Sequence, residues 1–247
     1  MVELKNVSKS YLGSGKNALN GVSFSFGPGE IIGLFGENGA GKTTLLKAIL
    51  GFIKYDGEIM LDGEKITRKN IARLSFATCE HSFFPRLTAN EHRDFYKQHF
   101  SRFNDKRYNG LMDFFELPRN KNVGSFSTGQ QNQFEIIMAL SQGADYILMD
   151  EPFAGNDIFN REDFYRLLAG ILEPSETIII ATHLIEEISG FIDRAVLISK
   201  GKIIGDKTIS QLDDEGVSLI DYIKNTYHYK ADRVSEALES ITAEEKQ

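Results

Sequence analysis

Eight consecutive residues constrain this chain more than anything else in it: Gly36-Glu37-Asn38-Gly39-Ala40-Gly41-Lys42-Thr43. They match G-x-x-x-x-G-K-[ST] in the context that gives the pattern its meaning, a strand before and a helix after. Ile31 to Phe35 is an unbroken apolar run, read as a strand buried on both faces. A helix is predicted from about Lys42 to Leu50, ending near Gly51. Between them the glycines let the backbone curl, so that consecutive N–H groups from Gly36, Glu37, Asn38, Gly39, Ala40 and Gly41 turn inward onto phosphate oxygens. The helix adds the positive end of its dipole. Lys42 is expected to reach the β- and γ-phosphates as a point charge, the Thr43 hydroxyl to ligate Mg2+, and Thr44 to meet the α-phosphate. This motif predicts binding of a nucleoside triphosphate and leaves the kind of machine open.

The 247 residues allow one α/β core with a smaller attached subdomain, and no more than two domains. With 41% hydrophobic and 26% charged residues, the composition is that of a globular chain. No stretch approaches the roughly 20 apolar residues that span a bilayer, and Met1 to Lys5 alternates apolar and polar without a signal-peptide core. A cytoplasmic location is expected, with membrane contact only through a partner. The net charge of −7 and the lack of a Lys/Arg cluster disfavour nucleic acid, whose binders neutralise phosphates with a basic face. The lone Cys79 rules out an internal disulfide and a cysteine metal cluster.

Along the chain, Val2/Leu4 and Val22/Phe24/Phe26 alternate as antiparallel strands do, before the turn Gly27-Pro28-Gly29. From about Glu80 to Gln142 the chain becomes helical and rich in Phe, Tyr and Lys, and reads as an insertion. Strands and helices then alternate: Tyr146 to Met149, a helix near Asn160 to Leu172, Thr177 to Ala181, a short helix around Ile185 to Ile188, and Ala195 to Ser199. The expected fold is α/β, a mainly parallel sheet with helices on both faces and an N-terminal antiparallel β-subdomain. The expected organisation is a domain over residues 1–215 with the helical subdomain at about 80–142 inserted in it. An acidic helical tail over 216–247 follows, read as a solvated helix, a dimer contact or a regulatory segment.

Tyr146 to Met149 runs into Asp150-Glu151. Ligands sit at the carboxyl edge of a parallel sheet, and side chains alternate along a strand. One carboxylate can therefore face a metal while the other orients water. Asp150 is assigned to Mg2+ and Glu151 to the attacking water as general base.

Ser125-Phe126-Ser127-Thr128-Gly129-Gln130-Gln131 resembles the signature of ATP-binding cassette proteins, usually Leu-Ser-Gly-Gly-Gln, about 20 residues before the carboxylates. Phe126 stands for the usual Leu and Thr128 for the first Gly, while Ser127, Gly129 and Gln130 match. Further segments agree in order. Tyr11 lies where the family stacks an aromatic on adenine, and Ala154-Gly155-Asn156-Asp157 resembles the loop after the base. His183 matches the switch histidine that contacts the γ-phosphate, and Asp193 to Leu197 with Gly201 to Ile203 resembles the closing strands. The resemblance covers roughly residues 2 to 210 and implies a P-loop NTPase core using ATP and Mg2+. The family's magnesium-sensing glutamine falls on Cys79 by direct counting, or on Glu80 with a one-residue gap. Glu80 is preferred because a hard cation takes oxygen over a thiol. His81, His92, His99 and His228 are read as surface or helix residues without a role.

The resemblance further implies that ATP is enclosed head to tail by two protomers. Lys42, Thr43, Asp150, Glu151 and His183 come from one, and Ser127, Gly129 and Gln130 from the other. A homodimer is the default by symmetry, and a paralogous ATPase partner is the alternative. The implied activity is ATP hydrolysis driving transport through a separate transmembrane permease, export favoured over import, with Phe83, Phe84, Pro85 and Arg86 forming a groove for a permease helix. The alternative is a non-transport cassette ATPase, such as an iron–sulfur assembly scaffold or a cell-wall regulator. A small-molecule kinase is disfavoured, because it has no use for a second phosphate-binding helix.

Overall fold

The computed structural model describes residues 1–11, 13, 17–80, 83–152 and 159–228, less the side chains of 159–162 and 187. Residues 1–65 supply an antiparallel sheet in the order β2-β1-β4-β5, from β1 (Val2–Ser10), β2 (Asn17–Phe26), β4 (Asp56–Leu61) and β5 (Glu64–Lys65). The second sheet runs β10-β9-β3-β8-β7-β6. Its strands are β3 (Ile31–Phe35), β6 (Leu74–Thr78), β7 (Tyr146–Asp150), β8 (Thr177–Thr182), β9 (Arg194–Ser199) and β10 (Lys202–Thr208). All its pairings are parallel except β9 with β10, which a tight turn at Lys200-Gly201 joins. The α/β architecture expected from the alternation is the one observed.

Strands β4 and β6 lie outside the runs that apolar patterning picks out. β4 opens on Asp56-Gly57-Glu58, and β6 buries the hydroxyl residues Ser75 and Thr78 among its apolar ones. Polar residues hide a strand from a hydrophobicity reading, and tertiary packing overrides that signal.

Both faces of the parallel sheet are buried, and alternate residues of each strand feed two separate cores. On one face Ile32 and Leu34, Tyr146 and Leu148, and Ile179 and Ala181 join Leu45, Leu46, Ala48 and Ile49 of α1 (Lys42–Ile49) and the inner face of the antiparallel sheet. On the other, Phe35, Ile147, Met149, Ile178 and Ile180 pack with three further helices. These are α3 (Asp105–Phe114), α4 (Thr128–Ser141) and α5 (Phe159–Ile171). At about 25 cal/mol per Å2 of buried apolar surface, this two-sided burial locks the strand register. The helices α2 (Ala89–His99), α3 and α4 lie between β6 and β7 in the chain. Beyond β8 come α6 (Ile185–Ile188), α7 (Ile209–Asp214) and α8 (Leu219–Thr226).

Of the two sequence readings of His92, surface or helix residue, the helix one holds. It sits on α2 but is 1% exposed, with its ring against Phe83 and Phe134. Its Nδ1 donates to the Thr88 carbonyl at 2.9 Å, and its Nε2 accepts from the Phe84 N–H at 3.2 Å. That pairing requires the neutral ring, and burial pushes its pKa below the ordinary value, outweighing the Thr88 carbonyl and the Glu91 charge.

An ion pair that no motif announced joins the insertion to the core. Arg107 on α3 forks onto Glu176 just before β8, at 2.7 and 2.9 Å, with both side chains under a tenth exposed. The same guanidinium donates to the carbonyls of Leu140 and Ile171, at the ends of α4 and α5.

Candidate functional site

Register decides where the site lies. Phe35 pairs with Thr182, Asp150 with Ala181, and Thr78 with Asp150, so the carboxyl ends of β3, β8, β7 and β6 form one edge. The glycine loop leaves β3 there, Glu151 leaves β7 and His183 leaves β8. A pocket of about 330 Å3 opens between the loop and Glu151. Glu37, Asn38, Gly39, Gly41, Lys42, Thr43 and Thr44 line it together with Glu151 and Ala18.

Gly41 starts α1 at φ 113, and a Cβ there would stand 2.5 Å from the Ala18 carbonyl, so only glycine fits. No side chain caps α1, in contrast to the capping boxes of α2 and α4, so the first N–H groups of α1 stay available to an anion. Lys42 is buried, and its Nζ donates to the Gly36 carbonyl at 2.7 Å and lies 3.6 Å from the Glu151 carboxylate.

Glu151 is held from three sides. Besides Lys42, the Thr182 hydroxyl donates to Oε2 at 3.1 Å, and Nδ1 of His183 stands 3.0 Å from Oε1. Its backbone adopts the left-handed conformation, φ 47. A residue other than glycine, asparagine or aspartate pays roughly 1 kcal/mol or more there, and such strain concentrates at working sites. The turn carries Glu151 out of the strand line that Asp150 follows.

Asp150 is 8% exposed. Its carboxylate accepts a hydrogen bond from Thr43, yet Oδ1 is buried without a hydrogen-bond partner. Burial raises its pKa, an effect partly offset by Thr43 and reinforced by the Glu151 charge. An orphaned carboxylate oxygen beside a threonine hydroxyl suits a hard divalent cation such as Mg2+. Such a cation takes one or two protein oxygens and completes its shell with phosphates and water. No group of three or more His, Cys, Asp or Glu positioned for a metal occurs among the described residues.

Glu80 is not brought to this cluster. Its carboxylate turns onto Lys47 at 2.6 Å, at an exposed position. Cys79 is the neighbour of the carboxylates instead, its thiol donating to the Glu151 carbonyl at 3.1 Å. Burial, then the charges of Asp150, Glu151 and Glu135, push that thiol's pKa up, so it stays protonated and a poor metal ligand.

Ser127, Gly129 and Gln130 do not line the pocket. Ser127 heads α4 in a capping box: its hydroxyl accepts from the Gln130 N–H at 3.3 Å, and the Gln130 side chain accepts from the Ser127 N–H at 3.1 Å. Ser127 is exposed and Gly129 half-buried, while Phe126 is buried edge-on against Phe134, which explains why a bulky apolar residue serves before the serine. Tyr11 is 44% exposed, with the Lys9 ammonium 5.0 Å over its ring. Ala154-Gly155-Asn156-Asp157 and His81 lie outside the described residues. Thr182 and Ala18 are site residues that pattern reading missed. The first adjoins His183 in the chain, and the second reaches the pocket only through packing of β2.

The family model described as ABC transporter matches residues 19–154. This chain belongs to that family. It is 31% identical over 232 residues to the lipopolysaccharide export system ATP-binding protein LptB of Escherichia coli K12, covering 87% of this chain and 94% of the relative. It is 29% identical over 223 residues to the ABC transporter ATP-binding protein YtrB of Bacillus subtilis 168, covering 89% and 76%. A ribose import ATP-binding protein, RbsA of Clostridium perfringens strain 13, is 30% identical, but the match spans only 46% of that relative. Among solved structures, the dimeric bacterial ABC transporter cassette MJ0796 superposes with TM-score 0.73 at 26% identity, over 85% of this chain and 99% of that one. It has also been captured after hydrolysis with ADP and Pi. The ABC chain described here is an ATP-binding subunit and an ATPase. No described helix is long and apolar enough to cross a membrane.

Proposed function

We propose that two copies of this ABC subunit, or one copy and a close relative, close on ATP and Mg2+ and drive export through a separate membrane permease. The observation that carries this reading is the division of the motif residues. Lys42, Thr43, Asp150, Glu151 and His183 gather at one sheet edge, while Ser127 and Gly129 head a helix whose exposed N-terminus is outside that pocket. A single chain then supplies half of an enclosed phosphate site, and a second copy turned head to tail supplies the rest.

In this reading the loop amides and Lys42 hold the β- and γ-phosphates. Thr43 and Asp150 would hold Mg2+, which supplies charge neutralisation at the phosphate oxygens. Glu151 orients the attacking water and takes its proton, while water oxygen bonds to the γ-phosphorus and the bond to the β–γ bridging oxygen breaks. His183 steadies Glu151 and faces the γ-phosphate. Serine and glycine from across the seam complete the anion cage, so cleavage loosens the seam and gives a permease a two-state element to follow. Export is favoured because the matched length is that of the single-cassette exporter subunit LptB, and about half that of the importer subunit RbsA.

The test is the mass of Glu151→Gln by light scattering with and without MgATP, beside wild-type turnover. A dimer that forms only with MgATP, and that Ser127→Arg prevents, is the expected result. Nucleotide bound by a monomer whose affinity ignores Ser127→Arg overturns the reading. Direction is read in proteoliposomes holding the co-purified permease, from the face on which substrate accumulates.

A further inference from the structure

The carboxyl terminus of the described chain returns to the phosphate loop. Ile223 of α8 is buried, and Tyr227 follows at the end of that helix. The Tyr227 hydroxyl lies 3.1 Å from the Phe35 carbonyl and 2.9 Å from the Ile198 carbonyl. Phe35 is the last residue of β3, and its next neighbour in the chain is Gly36, the first residue of the loop. Ile198 is on β9, and its carbonyl would stand 2.5 Å from a Cβ on Gly36, so strand and loop are in backbone contact at that point. The phenol therefore sits where the ends of two parallel strands and the start of the loop meet.

One step further along, the Gly36 carbonyl accepts from Lys42 Nζ at 2.7 Å. A shift at Phe35–Gly36 is passed directly to the ammonium that meets the phosphates. The far end of the loop has its own brace, Gly201 N–H donating to the Ala40 carbonyl at 2.8 Å. The near end has the phenol. A mostly apolar pocket of about 310 Å3, lined by Phe35, Gly36, Glu37, His183, Ile223 and Tyr227 among others, shows that the end of α8 borders both the loop and the switch histidine.

We propose that Tyr227 is a positioning residue for nucleotide binding: its hydroxyl, shared between the Phe35 and Ile198 carbonyls, sets the start of the phosphate loop. Burial, and after it the Glu37 carboxylate, push this phenol's pKa up to about 12, so it remains a donor across the working pH range. The inference rests on the nucleotide-binding reading of the loop.

The experiment compares full-length wild type, Tyr227→Phe and Tyr222→Phe by calorimetric titration with MgATP, by steady-state ATPase and by melting without nucleotide. Tyr222 is the control. It is on the same helix, but its hydroxyl meets Gly205 and Asp206 on β10. Tyr227→Phe is expected to raise the MgATP Kd and the KM about five-fold, the worth of one neutral hydrogen bond, with kcat at saturation within about two-fold. Tyr222→Phe should bind as wild type. A Tyr227→Phe protein that melts lower but keeps the wild-type Kd overturns the inference, because the phenol then only fastens α8. Equal weakening in both variants overturns it as well. Failure of the nucleotide reading looks different: wild type itself would bind no MgATP, or Lys42→Ala would bind it unchanged.

Discussion

Nδ1 of His183 stands 3.0 Å from Oε1 of Glu151, across the gap between the ends of β8 and β7. Thr182 and Lys42 complete the frame around the same carboxylate. A carboxylate held this way is oriented before any substrate arrives, and if Glu151 is the base proposed above, preorganisation of this kind lowers the barrier at the chemical step.

Glu151→Gln keeps the size of the side chain and most of its hydrogen bonds but removes the proton acceptor. Turnover is expected to fall by at least about 100-fold, with MgATP affinity within a few-fold of wild type. Phosphate release under saturating ATP, beside equilibrium binding of the same preparation, checks it. Turnover at the wild-type rate would remove Glu151 from the role of base.

His183→Ala deletes one of the groups that steady Glu151. Loss of a hydrogen bond to a charged group is worth roughly 1.5–3 kcal/mol, so kcat is expected to drop about 10- to 100-fold. The His183→Ala/Glu151→Gln double variant should lose less than the product of the two single losses, because part of the histidine's effect runs through the glutamate. Additive losses in that cycle would contradict the coupling.

Asp150 carries a buried oxygen without a partner. Asp150→Asn removes a buried charge whose raised pKa marks a net burial penalty despite the Thr43 hydrogen bond, and in metal-free buffer it should stabilise the chain by roughly 1 kcal/mol, about 2–4 °C in melting temperature. It should also abolish the magnesium dependence of ATP affinity. Calorimetry in EDTA and in MgCl2 reads both effects. A lower melting temperature with magnesium dependence intact would show that Asp150 holds no cation.

The Arg107–Glu176 pair makes a stability prediction. Arg107→Leu leaves the Glu176 charge buried and the Leu140 and Ile171 carbonyls unpaired. The expected cost is about 3–5 kcal/mol. Adding Glu176→Leu should recover a good part of it, since no charge then remains unpaired. Urea unfolding of the two variants decides this, and equal stability of Arg107→Leu and wild type would refute it.

His92 predicts acid sensitivity. Its pKa in the folded chain lies below the ordinary 6.5 because burial disfavours the charged ring. The unfolded chain then binds more protons, so stability rises with pH through this window. The contribution is complete above about pH 6.5 and is lost as pH falls from there through the lowered value. His92→Gln should flatten that part of the stability curve measured by urea titration between pH 5 and 7.5. An unchanged slope would mean that His92 titrates alike in both states.

Much of this protein can be read without coordinates where function depends on neighbours in the chain. The glycine loop, with Lys42 and Thr43 just after its turn, is such a unit, because backbone amides and a helix N-terminus come from consecutive residues. The same holds for Asp150-Glu151 at a strand end and for the serine cap of α4, each carried by a strand or helix whose period is visible in the chain. What the tertiary structure alone decided are relations between segments far apart. Strand order β3-β8-β7 brings His183 and Lys42 to Glu151. The turn after β6 sends Glu80 to Lys47 and leaves Cys79 beside the carboxylates. A buried arginine ties the insertion to the core, and Tyr227 reaches back to the residue before Gly36. The physical reason is common to all of these. Local propensity and periodicity act over a few residues, whereas burial, ladder register and the pairing of buried charges select partners across the whole chain and only in the packed state.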